Sequence, residues 1–370
     1  MTIDVANGAR SFAVSNKGTA ALGGEDANNN GDHALRLRDA NWWIQSERLG
    51  KVTVGRLSGS GPIPTIDLGG VSVVASSAPA LIGGGLFLRD SVTGKLSGLT
   101  MANVTDYGGN QGIRQEGVKW TSPTWQGFVV SASTGEATKR EIGNNVDGAF
   151  NGNVYGVDLK YANEFNGVRL AYGIGYEQFT DNDSSSPLHA RVSQWGTALS
   201  LLHVATGLFV QGDYQNTRHA ALVSPVAPAP NFFATDVEAK RWMIQAGLQR
   251  NWFGIGNTNL AVEYGKHDNW AGAAFNNSAS LTPGNAAAAV VGVSGGNNAF
   301  FGLAAVQNID AAAMELYLGW RRYSTSDAVI SSQLAGAPSV PGPATIGALV
   351  NTPTSFKDLD VVTAGARIKF

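Results

Sequence analysis

The last ten residues, Val361 to Phe370, alternate strictly between two kinds of side chain. Val362, Ala364, Ala366, Ile368 and Phe370 form one row; Thr363, Gly365, Arg367 and Lys369 form the other. In a β-strand successive side chains point to opposite faces, so this strand has a dry face and a wet one. The pattern recurs upstream. Val168, Leu170, Tyr172, Ile174 and Tyr176 oppose Arg169, Ala171, Gly173, Gly175 and Glu177; Leu260, Val262 and Tyr264 oppose Ala261, Glu263 and Gly265. Met314, Leu316, Leu318 and Trp320 likewise oppose Glu315, Tyr317, Gly319 and Arg321. In a sandwich the apolar rows would be core. Here Gly, Ser and Gln crowd the other row, and charges of both signs stand mid-strand, as a water-filled interior requires.

Composition narrows the choice. Charged residues make up 15% of the 370 residues, yet mean hydropathy is only -0.06. Gly, Asn, Ser, Thr and Ala have replaced charge, which suits a thin wall with one lipid face and one polar face. No run approaches the about 20 apolar residues of a membrane helix; the longest apolar stretch, Ala286–Val291, lies in a Gly/Asn-rich segment. There is no cysteine, which excludes disulfides and thiolate metal sites. A net charge of -2 indicates no nucleic-acid partner. Met1-Thr2-Ile3-Asp4-Val5 has no basic segment followed by an apolar one, so a processed or truncated start is expected.

Turns are alternately short and long. Short ones fall near 45–50, 122–125, 163–166, 205–207 and 252–256; long polar loops are expected at 58–112, 135–151, 179–190, 217–239, 269–298 and 325–355. Tight turns on one rim and long loops on the other are the rhythm of an outer-membrane barrel. The expected strands are 35–46, 50–57, 113–121, 126–134, 152–162, 167–178, 191–204, 207–216, 240–251, 257–268, 299–307, 311–324 and 357–370. The fold class is therefore all-β, a transmembrane antiparallel up-and-down β-barrel. Termini on one rim demand an even number, so a fourteenth strand should precede residue 35, with 8–16 as a weak candidate. Residues 1–34 are assigned to this remnant and an external loop, and 35–370 to the barrel. Aromatics gather at the short-turn end: Trp125, Phe165, Trp252, Phe253 and Phe370 are expected at the membrane interface.

Leu37-Arg38-Asp39-Ala40-Asn41-Trp42-Trp43-Ile44 with Leu49 to Arg56 resembles the third and fourth strands of general porins from α-proteobacteria. Gly117 to Phe128 resembles the next hairpin of that family, and Ala366-Arg367-Ile368-Lys369-Phe370 its terminal strand. The resemblance implies a homotrimer of sixteen-stranded barrels in a Gram-negative outer membrane, each with a long third loop folded into its lumen. The signal peptide and first two strands of the family are missing here, so fourteen strands at most are expected, with an unsealed or strained seam.

The function that follows is passive diffusion of ions and small hydrophilic solutes, with no cofactor. A substrate-specific channel of the same fold is the alternative; from another class, so is an extracellular β-rich adhesin or binding module. The segment 58–112 is richer in Val and Leu than a free loop should be and is expected to fold inward as the constriction. Its Asp67, Arg89, Asp90, Lys95 and Asp106 would face a basic patch of Lys119, Arg36, Arg38 and Arg56. No enzyme is expected. His33, His189, His203, His219 and His267 lack metal-ligand spacing. Gly292-Val293-Ser294-Gly295-Gly296 fits G-x-S-x-G, but its flanks do not read as strand and helix.

Overall fold

The computed structural model describes residues 2–7, 35–74, 87–100, 114–138, 151–181, 189–222, 237–268, 288–334 and 349–368. In chain order the strands are β1 (Thr2–Asn7), β2 (Leu35–Ser46), β3 (Gly50–Ser58), β4 (Phe87–Arg89), β5 (Leu96–Thr100), β6 (Arg114–Thr121), β7 (Phe128–Thr138), β8 (Asn151–Phe165) and β9 (Val168–Asp181). They continue as β10 (His189–His203), β11 (Leu208–Leu222), β12 (Val237–Arg250), β13 (Thr258–Asp268), β14 (Ala288–Ile309), β15 (Met314–Leu334), β16 (Leu349–Thr354) and β17 (Leu359–Ile368). All but β4 and β5 belong to one sheet in which each strand pairs antiparallel with the next. Because β16 and β17 both pair β15, they are two halves of one wall strand, and the wall has fourteen positions. No described residue of β16 or β17 pairs with β1 or β2.

Local chemistry sets the short rim. Gln126 and Gly127 both have positive φ, as do Asn166 and Gly167. Two positive-φ residues in a two-residue loop match the twist of the flanking strands, which is why Gly recurs there. Met314 enters β15 after a single 3-10 turn over Asp310–Ala312. At the other rim the strands outrun their expected ends. β14 and β15 hold 22 and 21 residues, about twice what the bilayer needs. Of the expected loops, 269–298 and 325–355 thus shrink, because pairing between the two strands persists out to Ala288 and Leu334. The candidate strand 8–16 lies outside the described residues; the strand that pairs with β2 is Thr2–Asn7.

The two faces are inverted relative to a soluble protein. Along β13, Asn259, Ala261, Glu263, Gly265 and His267 are buried, while Leu260, Val262 and Tyr264 are exposed. Along β15, Glu315, Gly319, Arg321, Tyr323 and Thr325 are buried, while Leu316 and Leu318 are exposed, Leu318 to 56%. A surface that leaves leucine out and hides glutamate is at equilibrium only when lipid lies outside. The fold class expected from the alternation is the one observed.

This inversion makes a direct prediction on the last strand, where Ala364 faces out and Thr363 in. An Ala364→Arg substitution should cost about 2–4 kcal/mol near the bilayer midplane, and Thr363→Arg much less. Reversible urea unfolding in lipid vesicles measures both; equal costs would refute the assignment of faces.

Candidate functional site: the lumen and its inserted loop

The segment after β3 turns inward and follows the inner wall strand by strand. At its root the Lys119 ammonium of β6 donates to the carbonyls of Ser58 (3.4 Å) and Gly59 (3.0 Å). Ser60 N donates to Ser133 Oγ of β7 at 2.7 Å. The chain then crosses glycines. A Cβ on Gly156 of β8 would overlap the Ser60 carbonyl, one on Gly175 of β9 the Gly61 carbonyl, and one on Gly196 of β10 would press on Pro62. Gly175 and Gly196 are register partners, so together they leave a flat seat that any larger residue would fill.

Further along, side chains take over. Thr65 Oγ1 donates to Asp213 of β11. Gln211 accepts from the Leu68 and Gly69 amides at 3.2 and 3.3 Å and donates to Asp67 Oδ1 at 3.0 Å. Asn259 of β13 donates to the Gly70 carbonyl at 3.0 Å. Val71 and Val74 end the crossing in an apolar cluster with Leu202, Phe209, Ala261, Ala304 and Val306. One loop thus touches β6 and β15, nine wall positions apart, which requires the sheet to be rolled around it.

Beneath the loop the inner wall carries bonded ladders that follow the strand register. Glu177 accepts from Gln194, whose Oε1 accepts from Gln215 (2.8 Å); Arg241 donates to Gln215 (3.1 Å) and to Asp213 (2.8 Å). A second ladder runs from Gln211 to Gln245 (2.7 Å) and from Gln245 to Glu263 (2.7 Å). It ends at Arg321, whose Nη2 meets Glu263 Oε2 at 2.7 Å. Glu263 and Arg321 lie on β13 and β15, two strands apart. They meet because Gly302, the residue in register between them on β14, has no side chain. Both side chains of this pair are nearly fully buried, so removing one partner would leave a charge stranded at about 3–5 kcal/mol.

The hairpin of β4 and β5 is tied to the opposite side. Between β16 and β17 the last wall strand breaks at Ser355–Asp358, and Phe356 turns inward and is buried. The break pairs with the hairpin instead: Ser91 N donates to the Ser355 carbonyl (2.9 Å) and Lys357 N to the Arg89 carbonyl (2.8 Å). The two hydroxyls of Ser91 and Ser355 are 2.5 Å apart. The expected strand 357–370 is present as β17; the correction is to the expected loop 325–355, which holds a second segment of the same wall position, β16, set off from β17 by a kink that serves the loop.

The expected constriction residues are not gathered in one place. Asp67 is bound to Gln211 and to the Ser72 amide (2.7 Å), far around the wall from Lys119. Asp90 caps its own turn through the Thr93 and Val92 amides. The Thr93 N–H foremost, with its hydroxyl and Val92 N–H, holds the carboxyl below its ordinary value against a smaller opposing effect of burial. Arg89 donates to the Gly94 carbonyl at 3.1 Å, and Lys95 is exposed. Arg56 is a correction. Its register partner is Glu116, with which it makes a 3.8 Å ion pair, and both share the face of Val54 and Val118, opposite to Lys119. Alternation in 50–57 is ambiguous, and pairing with β6 resolves it outward. The side chains of Arg36 and Arg38, and Asp106 and Phe370 altogether, lie outside the described residues. The ladder residues Gln194, Gln211, Gln215 and Gln245 were not singled out from sequence, although each sits on an inward parity position.

Of the short-rim aromatics, Trp125, Phe165, Trp252 and Phe253 are all exposed. A second aromatic series, which sequence reading missed, faces outward six to ten residues up the strands. Its rings pair across neighbouring strands: Trp195–Tyr214 at 5.1 Å, Trp242–Tyr264 at 5.5 Å, Phe301–Trp320 at 6.0 Å and Tyr155–Tyr176 at 6.5 Å. Just beyond it the outer face turns ionic, with Lys266–Asp268 at 2.6 Å and Arg322–Asp360 at 2.9 Å. Ser294 of the G-x-S-x-G segment stands inside β14, away from any strand-to-helix turn.

A single rolled antiparallel sheet, polar within and apolar without, agrees with what family comparison finds: residues 2–352 match the Gram-negative porins. This chain belongs to that family. The porin therefore resides in the outer membrane and forms a channel there. No curated protein matches it significantly. Among solved structures it is similar to OccD3 (OpdP) of Pseudomonas aeruginosa, at 12% identity over 89% of this chain and 78% of that one, with a TM-score of 0.36. It is also similar to a BenF-like porin from Pseudomonas fluorescens Pf-5, at 11% identity over 90% of each chain and a TM-score of 0.33. Against the ferric-catecholate import receptor Fiu of E. coli K12 the identity is 14%, over 90% of this chain and 54% of that one, with a TM-score of 0.39.

Two predictions test how the porin's loop is held. Gly175→Val should drive the Gly61 carbonyl off the wall, seen as a changed single-channel conductance with the barrel still heat-modifiable on gels; unchanged conductance would mean that the loop does not rest there. In a chain without native cysteine, Ser91→Cys with Ser355→Cys should oxidise to one internal disulfide, scored by mass spectrometry. Failure to form it under mild oxidant would contradict the docking of the hairpin on the strand break.

Proposed function

We propose that the porin is a passive diffusion channel for ions and small hydrophilic solutes, with the inserted loop 58–112 as its size-limiting element. The observation that carries this reading is the path of residues 58–74 along the inner wall, fixed at successive strands by the bonds described above. A loop held this way narrows the bore permanently and filters by size and charge. No catalytic step is part of the proposal, nor any cofactor.

Within that reading the filter differs from two facing patches of opposite charge. The loop's Asp67 and the wall's Asp213, Arg241, Glu263 and Arg321 are bonded among themselves, and amide side chains separate them. Paired charges in register set a field across the bore while presenting few free ions to a solute. Such a lining suits broad passage of polar solutes. The two outward aromatic series are assigned to the two headgroup levels, with Trp125, Phe165, Trp252 and Phe253 at the short-turn interface. Six to ten residues of tilted strand between them span about 15–25 Å, close to the about 25 Å apolar band of such barrels. Assembly as a homotrimer, which the sequence resemblance implies, belongs to the same proposal and is read out by migration of unheated protein on denaturing gels.

The test is reconstitution in planar bilayers. Removing about residues 67–106 should enlarge single-channel conductance severalfold. An unchanged value would rule this loop out as the narrowest point. Reversal potential in a salt gradient gives the ion preference, and steep saturation with a single solute would favour a substrate-specific channel.

A further inference from the structure

Among the described inward-facing rings, Trp43 is the one left more than a third exposed. Trp43 of β2 is opposite Thr53 of β3, and Thr53 is opposite Lys119 of β6, whose ammonium reaches the loop inside the barrel. Register therefore puts the Trp43 indole on the lumen face, while its neighbour Trp42 shares the outer face with Val54. Inward-facing Phe179, Phe209, Phe300 and Tyr323 are all buried, at 1–4% exposure, under the loop or against one another; Trp43 keeps 40% of its surface open. Among the described residues the loop's bonds and packing fall on β6 through β15 and, through the hairpin, on Ser355–Lys357, and none of them is with Trp43.

The surroundings of the ring define a chemistry. Lys51 Nζ stands 4.6 Å from the indole centroid. On the lumen face Lys51 is followed along β3 by Thr53 and Gly55, and Gly55 is in register with Gly117 and then Gly135, which makes the adjoining wall flat. A part-exposed indole with an ammonium over one face, beside a strip of glycines, can accept a planar ring that carries a negative charge. The ring stacks on or beside the indole, and its carboxylate meets the ammonium.

We propose that Trp43 and Lys51 form a solute subsite on the inner wall of the channel, selective for small aromatic carboxylates over aliphatic ones. This rests on the channel reading given above. Binding is weak, as transport requires: a solute held too firmly would plug the bore. The subsite raises the local concentration of such anions without closing the path to others.

Single-channel recording with sodium benzoate and sodium acetate tests it. Benzoate should reduce or flicker the current at concentrations where acetate does not. Trp43→Ala should weaken benzoate block about three- to tenfold, the effect of one aromatic contact, and Trp43→Phe should retain most of it. Lys51→Gln should weaken it as well, and more at low salt. Conductance in plain KCl serves as the control that each variant has folded. If the wild-type channel conducts but benzoate and acetate act alike, or if Trp43→Ala leaves benzoate block unchanged, the subsite is refuted and the channel stands. A protein with no conductance would refute the channel reading and the subsite with it.

Discussion

In hydrocarbon no water can satisfy a backbone amide, so each strand crossing the bilayer must find its hydrogen bonds in its two neighbours. From that requirement comes the antiparallel sheet, and from the sheet comes the strict period of two that assigns every side chain to lipid or lumen. Leu318 is left out and Arg321 is taken in by the same rule. Once the register of β13, β14 and β15 is set, Glu263 and Arg321 have no freedom to avoid each other, and Gly302 between them decides that they touch. Side-chain ladders in this wall are consequences of register, and they in turn resist any slip of it, because a shift by one residue would put Gln245 and Glu263 into lipid.

The loop turns this wall into something narrower. An inserted segment carries its own backbone groups into the lumen, where they too need partners. Ser58, Gly59, Ser60, Leu68, Gly69 and Gly70 find them on wall side chains from β6 to β13. Over β8 to β10 the wall offers glycines instead, and the loop descends until two of its carbonyls and the Pro62 ring lie against them. Past β13 the contact becomes apolar through Val71 and Val74. Polar anchoring, close approach and apolar packing follow one another along seventeen residues. The break in the last wall strand at Ser355–Asp358 completes the pattern from the far side: the Ser355 carbonyl and Lys357 N–H bond the hairpin there, while Phe356 N–H still donates to the Thr325 carbonyl of β15.

Much of the wall was legible because alternation reports it directly. Strands such as β2 and β13 were placed within a residue or so, since Leu260, Val262 and Tyr264 cannot share a face with Glu263. Legibility ended where one strand's pattern was neutral and its neighbour decided. Arg56 follows Val52 and Val54 on one face, with Thr53 and Gly55 on the other, and only the pairing to Glu116 shows that it points outward. The partners of Asp67 and Thr65 lie about 145 residues away, at Gln211 and Asp213. No local pattern encodes such a distance. The upper aromatic series was written in the sequence at inward/outward parity, yet attention to turns found only the lower one.

The glycines of the lumen face hold the last step of the argument. A strand interior normally loses stability with each glycine, through chain entropy and lost packing. This chain has 47 of them, and the ones beneath the loop, Gly156, Gly175 and Gly196, fall on consecutive strands, where a side chain would collide with loop backbone at the first two and press on the Pro62 ring at the third. Elsewhere on the inner face, Gly55, Gly117 and Gly135 form another row, with the root of the loop at Lys119 and Ser133 on one side and the part-exposed Trp43 indole on the other. Absence of side chains thus serves two ends in one barrel. Under the loop it lowers a constriction onto the wall; beside Trp43 it keeps the wall flat, and there the water-facing surface has room for a solute.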